Sequence, residues 1–364
     1  MLKPTYTLPP LPPAVDIETV PVLKALARAS RALADLKGQA KTIPNQGILI
    51  DTLALQEAKA SSEVENIVTT QDELFQADLF PDDPQSPAAK EVALYRDALR
   101  LGYAHLLDTG GLIPNSVLID MFRLLKGRSD GFRVKPGTAL KNEQTGQIVF
   151  VPPQDAREII EHMTALEKFI NVDDLCDLDP LIKMALIHHQ FESIHPFADG
   201  NGRIGRIVNV LYLTRTGLLD IPVLYLSRFI TRNKGDYYHH LQAVRDTGDW
   251  ESWVVYMLDA VTETSATTSE IVAEIRQQMT EVKHRLRREM PKIYSQDLLN
   301  NLFRHPYTRI EYLQRDLSVS RQTAAKYLDA LAETGFVEKH RSGKHNYFVN
   351  VALVNLFLDV SEGR

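Results

Sequence analysis

The chain has a single cysteine, Cys176, among 364 residues. That excludes an intramolecular disulfide framework and any zinc site built on several thiolates, and it fits a reducing compartment. Long apolar runs are also missing, since no stretch reaches the ~18 residues that read as a membrane span. The opening segment Met1–Asp16 holds five prolines and lacks the charged start and continuous apolar run of a secretion signal. A cytoplasmic protein with no membrane partner is the resulting expectation. Nor is there an excess of positive charge. With 41 basic against 47 acidic side chains the net charge is −6, so any contact with nucleic acid would need a local basic patch. What remains is an ordinary globular composition, 44% hydrophobic and 24% charged, in a chain long enough for two or three domains.

Apolar spacing predicts helices over 20–37, with Gly38 as the stop, and over 51–66, 89–107 and from Pro114 to about Gly127. Residues 80–88, crowded with proline, aspartate and serine, read as a surface loop. Over 131–153 the pattern changes to short β-prone runs punctuated by glycine and proline, which predicts a hairpin or flap at 145–153. Helices resume at 156–169 and 180–193, and a long helical region over 250–290 is closed by Pro291. Beyond it, helices at 308–316 and 320–333 flank a short turn. Strands at 335–337 and 347–349 around Gly343 complete a pattern similar to a winged helix-turn-helix.

Residues 195–206 read HPFADGNGRIGR. Glycines flanking Asn201 let backbone N–H groups approach a ligand, and a helix opening there aims its positive end at the same point, which makes a phosphate cradle. Arg203 and Arg206, one turn apart, present guanidinium forks suited to phosphate oxygens. Asp199 adds a carboxylate of the kind that holds Mg²⁺ together with phosphates and waters. A histidine such as His195 can titrate near neutrality, which would let it serve as general base. These are parts for phosphoryl or nucleotidyl transfer.

The same twelve residues match every defined position of the Fic signature, H-P-F-x-[DE]-G-N-[GK]-R-x-x-R, so the chain resembles the Fic family of protein adenylyltransferases. The resemblance implies His195 as catalytic base and Asp199 as ligand of Mg²⁺, with Mn²⁺ the alternative ion. It implies ATP phosphates held over Gly200, Asn201, Gly202, Arg203, Ile204, Gly205 and Arg206, with Arg206 on the γ-phosphate. Tyr237 and Tyr238 resemble the tyrosine pair near the family's adenine pocket. Gln147, Ile148, Val149 and Phe150 resemble the flap that aligns a target protein by strand addition. The implied activity is transfer of AMP from ATP to a Ser, Thr or Tyr hydroxyl of an unidentified target protein, and of the chain itself.

A second pattern, Ser61-Ser62-Glu63-Val64-Glu65-Asn66, matches the family's inhibitory motif [ST]-x-x-x-E-[GN]. Ser61 and Glu65 share a helical face, and the resemblance implies that Glu65 pairs with Arg206 and withholds it from the γ-phosphate. The expected architecture is mainly α. It has an N-terminal helical region at 1–110 with the inhibitory helix at 51–66, and a Fic core at 111–260. A connecting helix at 261–291 and a winged-helix-like domain at 292–364 follow. Arg321, Lys326, Lys339, Arg341 and Lys344 offer duplex DNA a rival role for that domain, but Asp329, Glu333 and Glu338 interrupt them, so DNA is not favoured. Removal of AMP by the same site, and a homodimer, stay open.

Overall fold

The computed structural model describes residues 3–80, 86–141, 145–342 and 345–362. Its elements run, in order, α1 (Val20–Ala40), α2 (Gly47–Val64), α3 (Gln71–Leu79), α4 (Pro87–Asp108), α5 (Asn115–Lys126), β1 (Leu140–Lys141), β2 (Ile148–Phe150), α6 (Ala156–Asn171), α7 (Pro180–Ile194) and α8 (Asn201–Arg215). They continue with α9 (Ser227–Arg232), α10 (Lys234–Thr247), α11 (Trp250–Glu289), α12 (Gln296–Arg304), β3 (Tyr307–Thr308), α13 (Ile310–Leu317), α14 (Arg321–Glu333), β4 (Glu338–Ser342), β5 (His345–Val349) and α15 (Val351–Glu362). The protein is mainly α, as the sequence predicts. Among the described residues, no helix is long and apolar enough to cross a membrane.

Two compact units form, one from residues 1–35, 60–67 and 94–266, the other from 36–59, 68–93 and 267–364. In the first, α7 and α8 are buried along nearly their whole length. Gly102 of α4 brings that helix close to the pair, since a Cβ there would lie 2.7 Å from Leu211 Cδ1. Trp253 of α11 is fully buried and donates its indole N–H to the carbonyl of Ala185 at 2.9 Å, so even this large side chain leaves no unpaired polar atom.

The second unit carries a three-stranded sheet in the order β3-β5-β4, with β3 between α12 and α13 in the chain and β4 and β5 after α14. The unit thus holds a helix pair, α13 and α14, and an antiparallel pair of strands, β4 and β5. Asn301, 1% exposed, joins its parts by donating to Asp316 at 2.8 Å and accepting from the Thr308 hydroxyl at 3.1 Å.

Local signals place some helix ends and misplace two boundaries. Pro114 and Gly127 bracket α5, the glycine in left-handed backbone at φ 60°. Gly38 does not stop α1, because Leu36 and Ala40 on either side are both buried and packing carries the helix past an exposed glycine. Gly335 belongs to a helix stop rather than to the first wing strand. At φ 71° it follows α14, with Gly335 N–H bonded to Ala332 O and Phe336 N–H to Leu331 O, and the strand begins only at Glu338. Residues 81–85 of the expected 80–88 loop, and Gly343 and Lys344 of the expected wing, lie outside the described residues.

Candidate active site

The loop between α7 and α8 is held from within. Asp179 caps α7 by accepting from Leu181 N–H at 2.8 Å, and Pro180 occupies the first helical position. At the other end His195 is itself the C-cap, with left-handed backbone at φ 50°, ψ 59°. That conformation costs a non-glycine residue about 1 kcal/mol or more, and the surrounding bonds must hold it. Asn201 supplies two of them, accepting from Phe197 N–H at 2.8 Å and donating to Phe197 O at 2.9 Å. Phe197 is buried and stacks on Phe122 with ring centres 4.3 Å apart. Gly200, at φ 77°, then turns the chain into α8, whose N-terminus has no side-chain cap. The first-turn N–H groups there have no intrahelical acceptor and form the positive end of the helix.

Around this cradle the predicted side chains fall into distinct roles. The side chain of Asn201 is spent on the loop, which leaves its backbone N–H at the helix start for a ligand. Ile204 is fully buried core. Gly205 gives passage, because a Cβ there would sit 3.0 Å from Glu192 Oε1 and 3.1 Å from the ring of Phe191. Asp199 is the most open member, its side chain 59% exposed, and its Oδ2 pairs with Lys126 Nζ at 2.7 Å. Burial would raise its pKa, but Lys126 outweighs that and holds the carboxyl below its ordinary value. Arg203 is buried, with Nη2 3.9 Å from Asp199 Oδ1.

Arg206 is only 1% exposed and is gripped by the end of α2. Its Nε donates to Ser61 Oγ at 2.8 Å, and its Nη2 donates to Ser61 O at 2.9 Å and to Glu65 Oε1 at 3.1 Å. Burial alone would depress its pKa, but Glu65 and then Tyr237, Tyr95 and Glu192 hold it above the ordinary value. The geometry of Glu65 follows from a helix stop. Asn66 takes left-handed backbone at φ 60°, with Asn66 N–H bonded to Glu63 O and Ile67 N–H to Ser62 O, so Glu65 is the last residue before the chain turns. Gly202 completes the fit, since a Cβ on it would collide with Glu65 Oε1 and Arg206 Nη1.

The two tyrosines have different surroundings. Tyr237, 2% exposed, shares a hydrogen bond of 2.9 Å between its hydroxyl and His188 Nε2, whereas Tyr238 is 46% exposed. The flap pairs β1 with β2 antiparallel through Leu140 with Phe150 and Lys141 with Ile148, and Gln147 lies just before the strand. Ile148 and Val149 are about half exposed, while Phe150 is buried under the guanidinium of Arg245, 3.8 Å from its ring centre.

Three family models match in sequence along the chain. They are the Fic/DOC family N-terminal region at 23–104, the Fic/DOC family at 116–213 and the protein adenylyltransferase SoFic-like C-terminal domain at 278–353. The chain belongs to the Fic/DOC family. A protein adenylyltransferase Fic of Drosophila erecta is 29% identical over 102 residues, 28% of this chain and 19% of that protein. Protein adenylyltransferase fic-1 of Caenorhabditis briggsae is 26% identical over 141 residues, 38% of this chain and 25% of that protein. The chain thus spans about a fifth to a quarter of the length of these relatives. Among solved structures, a Fic family protein from Desulfovibrio desulfuricans G20 is similar with a TM-score of 0.54 at 21% identity, covering 96% of this chain and 98% of that one. Fic-1 (aa134–508) from C. elegans gives 0.54 at 19% identity over 68% of this chain and 72% of that one. These two likenesses are of fold.

Sequence reasoning missed Lys126 on Asp199, and above all Arg133. Arg133 Nε donates to His195 O at 2.8 Å, its Nη2 donates to Ile194 O at 3.3 Å and to Pro153 O, and its backbone N–H donates to Pro196 O at 2.8 Å. One guanidinium therefore fixes the Fic loop and the end of the flap, and burial lowers its pKa to about 10. Nothing in the run GFRVKPG marks it from a surface arginine. Arg133→Met leaves buried carbonyls unpaired at about 1–3 kcal/mol each. The expected outcome is a lower urea midpoint with faster amide exchange at Phe197 and Gly200. Arg133→Lys, lacking the fork, is expected to recover less than half of the loss.

Burial also sets the response of this unit to acid. His188 and His195 are pushed down to about 3, and His189 is lowered as well; for His195 the positive charges of Arg133 and Arg245 add to burial. Between the unfolded value of about 6.5 and these folded values the unfolded chain binds more protons, so stability present above pH ~6.5 is lost as pH falls toward 3. Glu192 acts in the opposite sense. Burial pushes it up to about 7 despite Arg206, so its contribution is full below its unfolded value and lost as pH rises through 7. The histidines outnumber it. The urea midpoint is expected to be lower at pH 5 than at pH 7.5, and an equal or higher value at pH 5 would mean the three imidazoles are solvated.

Proposed function

We propose that the chain transfers AMP from ATP to a hydroxyl of a protein, and that Glu65 restrains this activity by occupying Arg206. The observation that carries the reading is the pairing of an uncapped helix start, opened by Gly200, with an arginine one turn further on whose fork is already filled by Ser61 and Glu65. An arginine buried at a phosphate cradle and closed by a carboxylate is a γ-phosphate site held shut. The relatives named protein adenylyltransferase support the same class.

In this reading the triphosphate lies over the N–H groups of Asn201, Gly202 and Arg203. Burial and neighbouring arginines leave His195 neutral, so one ring nitrogen carries the proton and the other can accept one. That nitrogen takes the proton of the target hydroxyl while its oxygen bonds to the α-phosphorus. The bond from the α-phosphorus to the β-bridging oxygen breaks, and pyrophosphate leaves. Arg203 and Arg206 neutralise developing charge, and positioning does the remainder. Mg²⁺ fits the donor set, because Asp199 offers one exposed carboxylate, as suits an ion that keeps waters and takes phosphate oxygens. When bound it would neutralise phosphate charge. Among the described residues no cluster of three ligating side chains forms a protein-only cage.

ATP labelled at the α- or the γ-phosphate tests the class. AMP transfer puts only the α-label on protein in a lysate, and γ-label on protein would indicate phosphoryl transfer and overturn the reading. Pre-labelled protein releasing free AMP on fresh enzyme would add hydrolytic removal of AMP by water. The DNA reading is weakened by the ion pairs that neutralise the α14 face, Arg321 with Glu311 at 2.5 Å and Lys339 with Asp329 at 2.7 Å.

A further inference from the structure

The flap already has a strand partner within the chain. Thr5 N–H donates to Val151 O at 3.1 Å, and Val151 N–H donates to the Thr5 hydroxyl at 3.0 Å, so both backbone groups of the residue after β2 are taken by Thr5. Alternate residues of a strand direct their backbone groups to the same edge, so the next rung on this edge is Val149. That rung has half-exposed apolar side chains at Ile148 and Val149. The segment is anchored further along. Tyr6 meets His189 edge-on with ring centres 6.2 Å apart, Leu8 is buried, and Pro9 O accepts from Gln190 Nε2 at 3.0 Å. His189 and Gln190 lie on α7, the helix that ends at His195.

The position relative to the chemistry follows from Arg133, whose guanidinium bonds both His195 O and Pro153 O. Val151 is two residues before Pro153, about 7 Å of extended chain. A target strand delivering a hydroxyl to His195 along this flap therefore meets Thr5 on the edge it must use. We propose that residues 5–9 are an intramolecular occupant of the flap edge, competing with the extended protein segment that the enzyme modifies. This rests on the flap being the target-docking strand. The competition is a second restraint, on the acceptor side, independent of Glu65 on the nucleotide side.

Thr5→Pro in the full chain removes the N–H and the hydroxyl together, while Thr5→Val removes the hydroxyl alone and guards against misfolding as the explanation. The probe is a degenerate nonapeptide pool with a fixed central threonine, and its binding is read by amide exchange at Val149 and Val151. Without peptide, Val151 exchange is expected to be about tenfold faster in both variants, since each removes the hydroxyl that accepts from its N–H. With peptide, half-maximal protection is expected at about tenfold lower pool concentration in Thr5→Pro than in the unsubstituted chain. Equal half-maximal concentrations, or no protection in any of the proteins, would overturn the competition. AMP labelling of the pool in a Glu65→Gly background is a separate arm. Tighter binding without labelling leaves the competition standing and removes the transfer reading.

Discussion

Glu65→Gly is expected to raise incorporation of α-labelled AMP by about ten- to a hundredfold over the unsubstituted chain. The figure follows from the contact removed. Arg206 gives Glu65 a charge-assisted hydrogen bond at 3.1 Å, a class worth about 1.5–3 kcal/mol, and each 1.4 kcal/mol is about tenfold in occupancy of the competing state. Because Glu65 is 32% exposed, the larger penalties measured for fully buried pairs do not apply in full. Ser61→Ala removes one neutral hydroxyl contact and leaves the Ser61 carbonyl in place, so an increase below tenfold is expected. Arg206 keeps its burial in Glu65→Gly and loses its counter-charge, so that variant is also expected to melt at a lower temperature and to gain more from ATP than the unsubstituted chain. Equal labelling in the two proteins, or equal stabilisation by ATP, would show that Glu65 does not withhold the arginine.

His195→Ala in the Glu65→Gly background is expected to lower labelling by about a hundred- to ten-thousandfold, the range for loss of a positioned general base. Binding of ATP to the cradle should persist, because the N–H groups of α8 and the two arginines are untouched. The pH profile separates a base from a structural histidine. Burial, then Arg133 and Arg245, push the ring down to about 3, so it stays unprotonated throughout the neutral range. The rate in Glu65→Gly is expected to show no acid-limb inflection near the ordinary histidine value between pH 8 and pH 5, wherever the fold survives. An inflection near pH 6.5 would falsify the buried, neutral state of the imidazole.

Much of the site was legible in the sequence because its signals are local. Gly200 and Asn66 each mark a left-handed residue at a helix boundary, and that preference is set by the residue's own side chain. Arg203 and Arg206 share one turn, and Ser61 and Glu65 share another. The motif as a string names the family that the matching models report. Local signals failed where packing reversed them, as at Gly38, and where a helix stop resembled the start of a strand, as at Gly335.

The tertiary structure alone decided which distant groups meet. Arg206 and Glu65 are separated by 141 positions, and Arg133 and His195 by 62. Those meetings depend on how α7 and α8 are buried on nearly all faces, so no amphipathic stripe in either helix announces its neighbours. Tyr237 and Tyr238 show the same limit at short range. Adjacent helical residues point about 100° apart, so the two rings face different directions, and packing buries Tyr237 while leaving Tyr238 exposed. The sequence by itself determined which chemical groups are present and which turn of chain presents them. The fold decided that Lys126 would hold Asp199, that Arg133 would clamp the loop and that Thr5 would cover the flap edge, because a contact between distant residues is a property of the packed core and is written in no single segment.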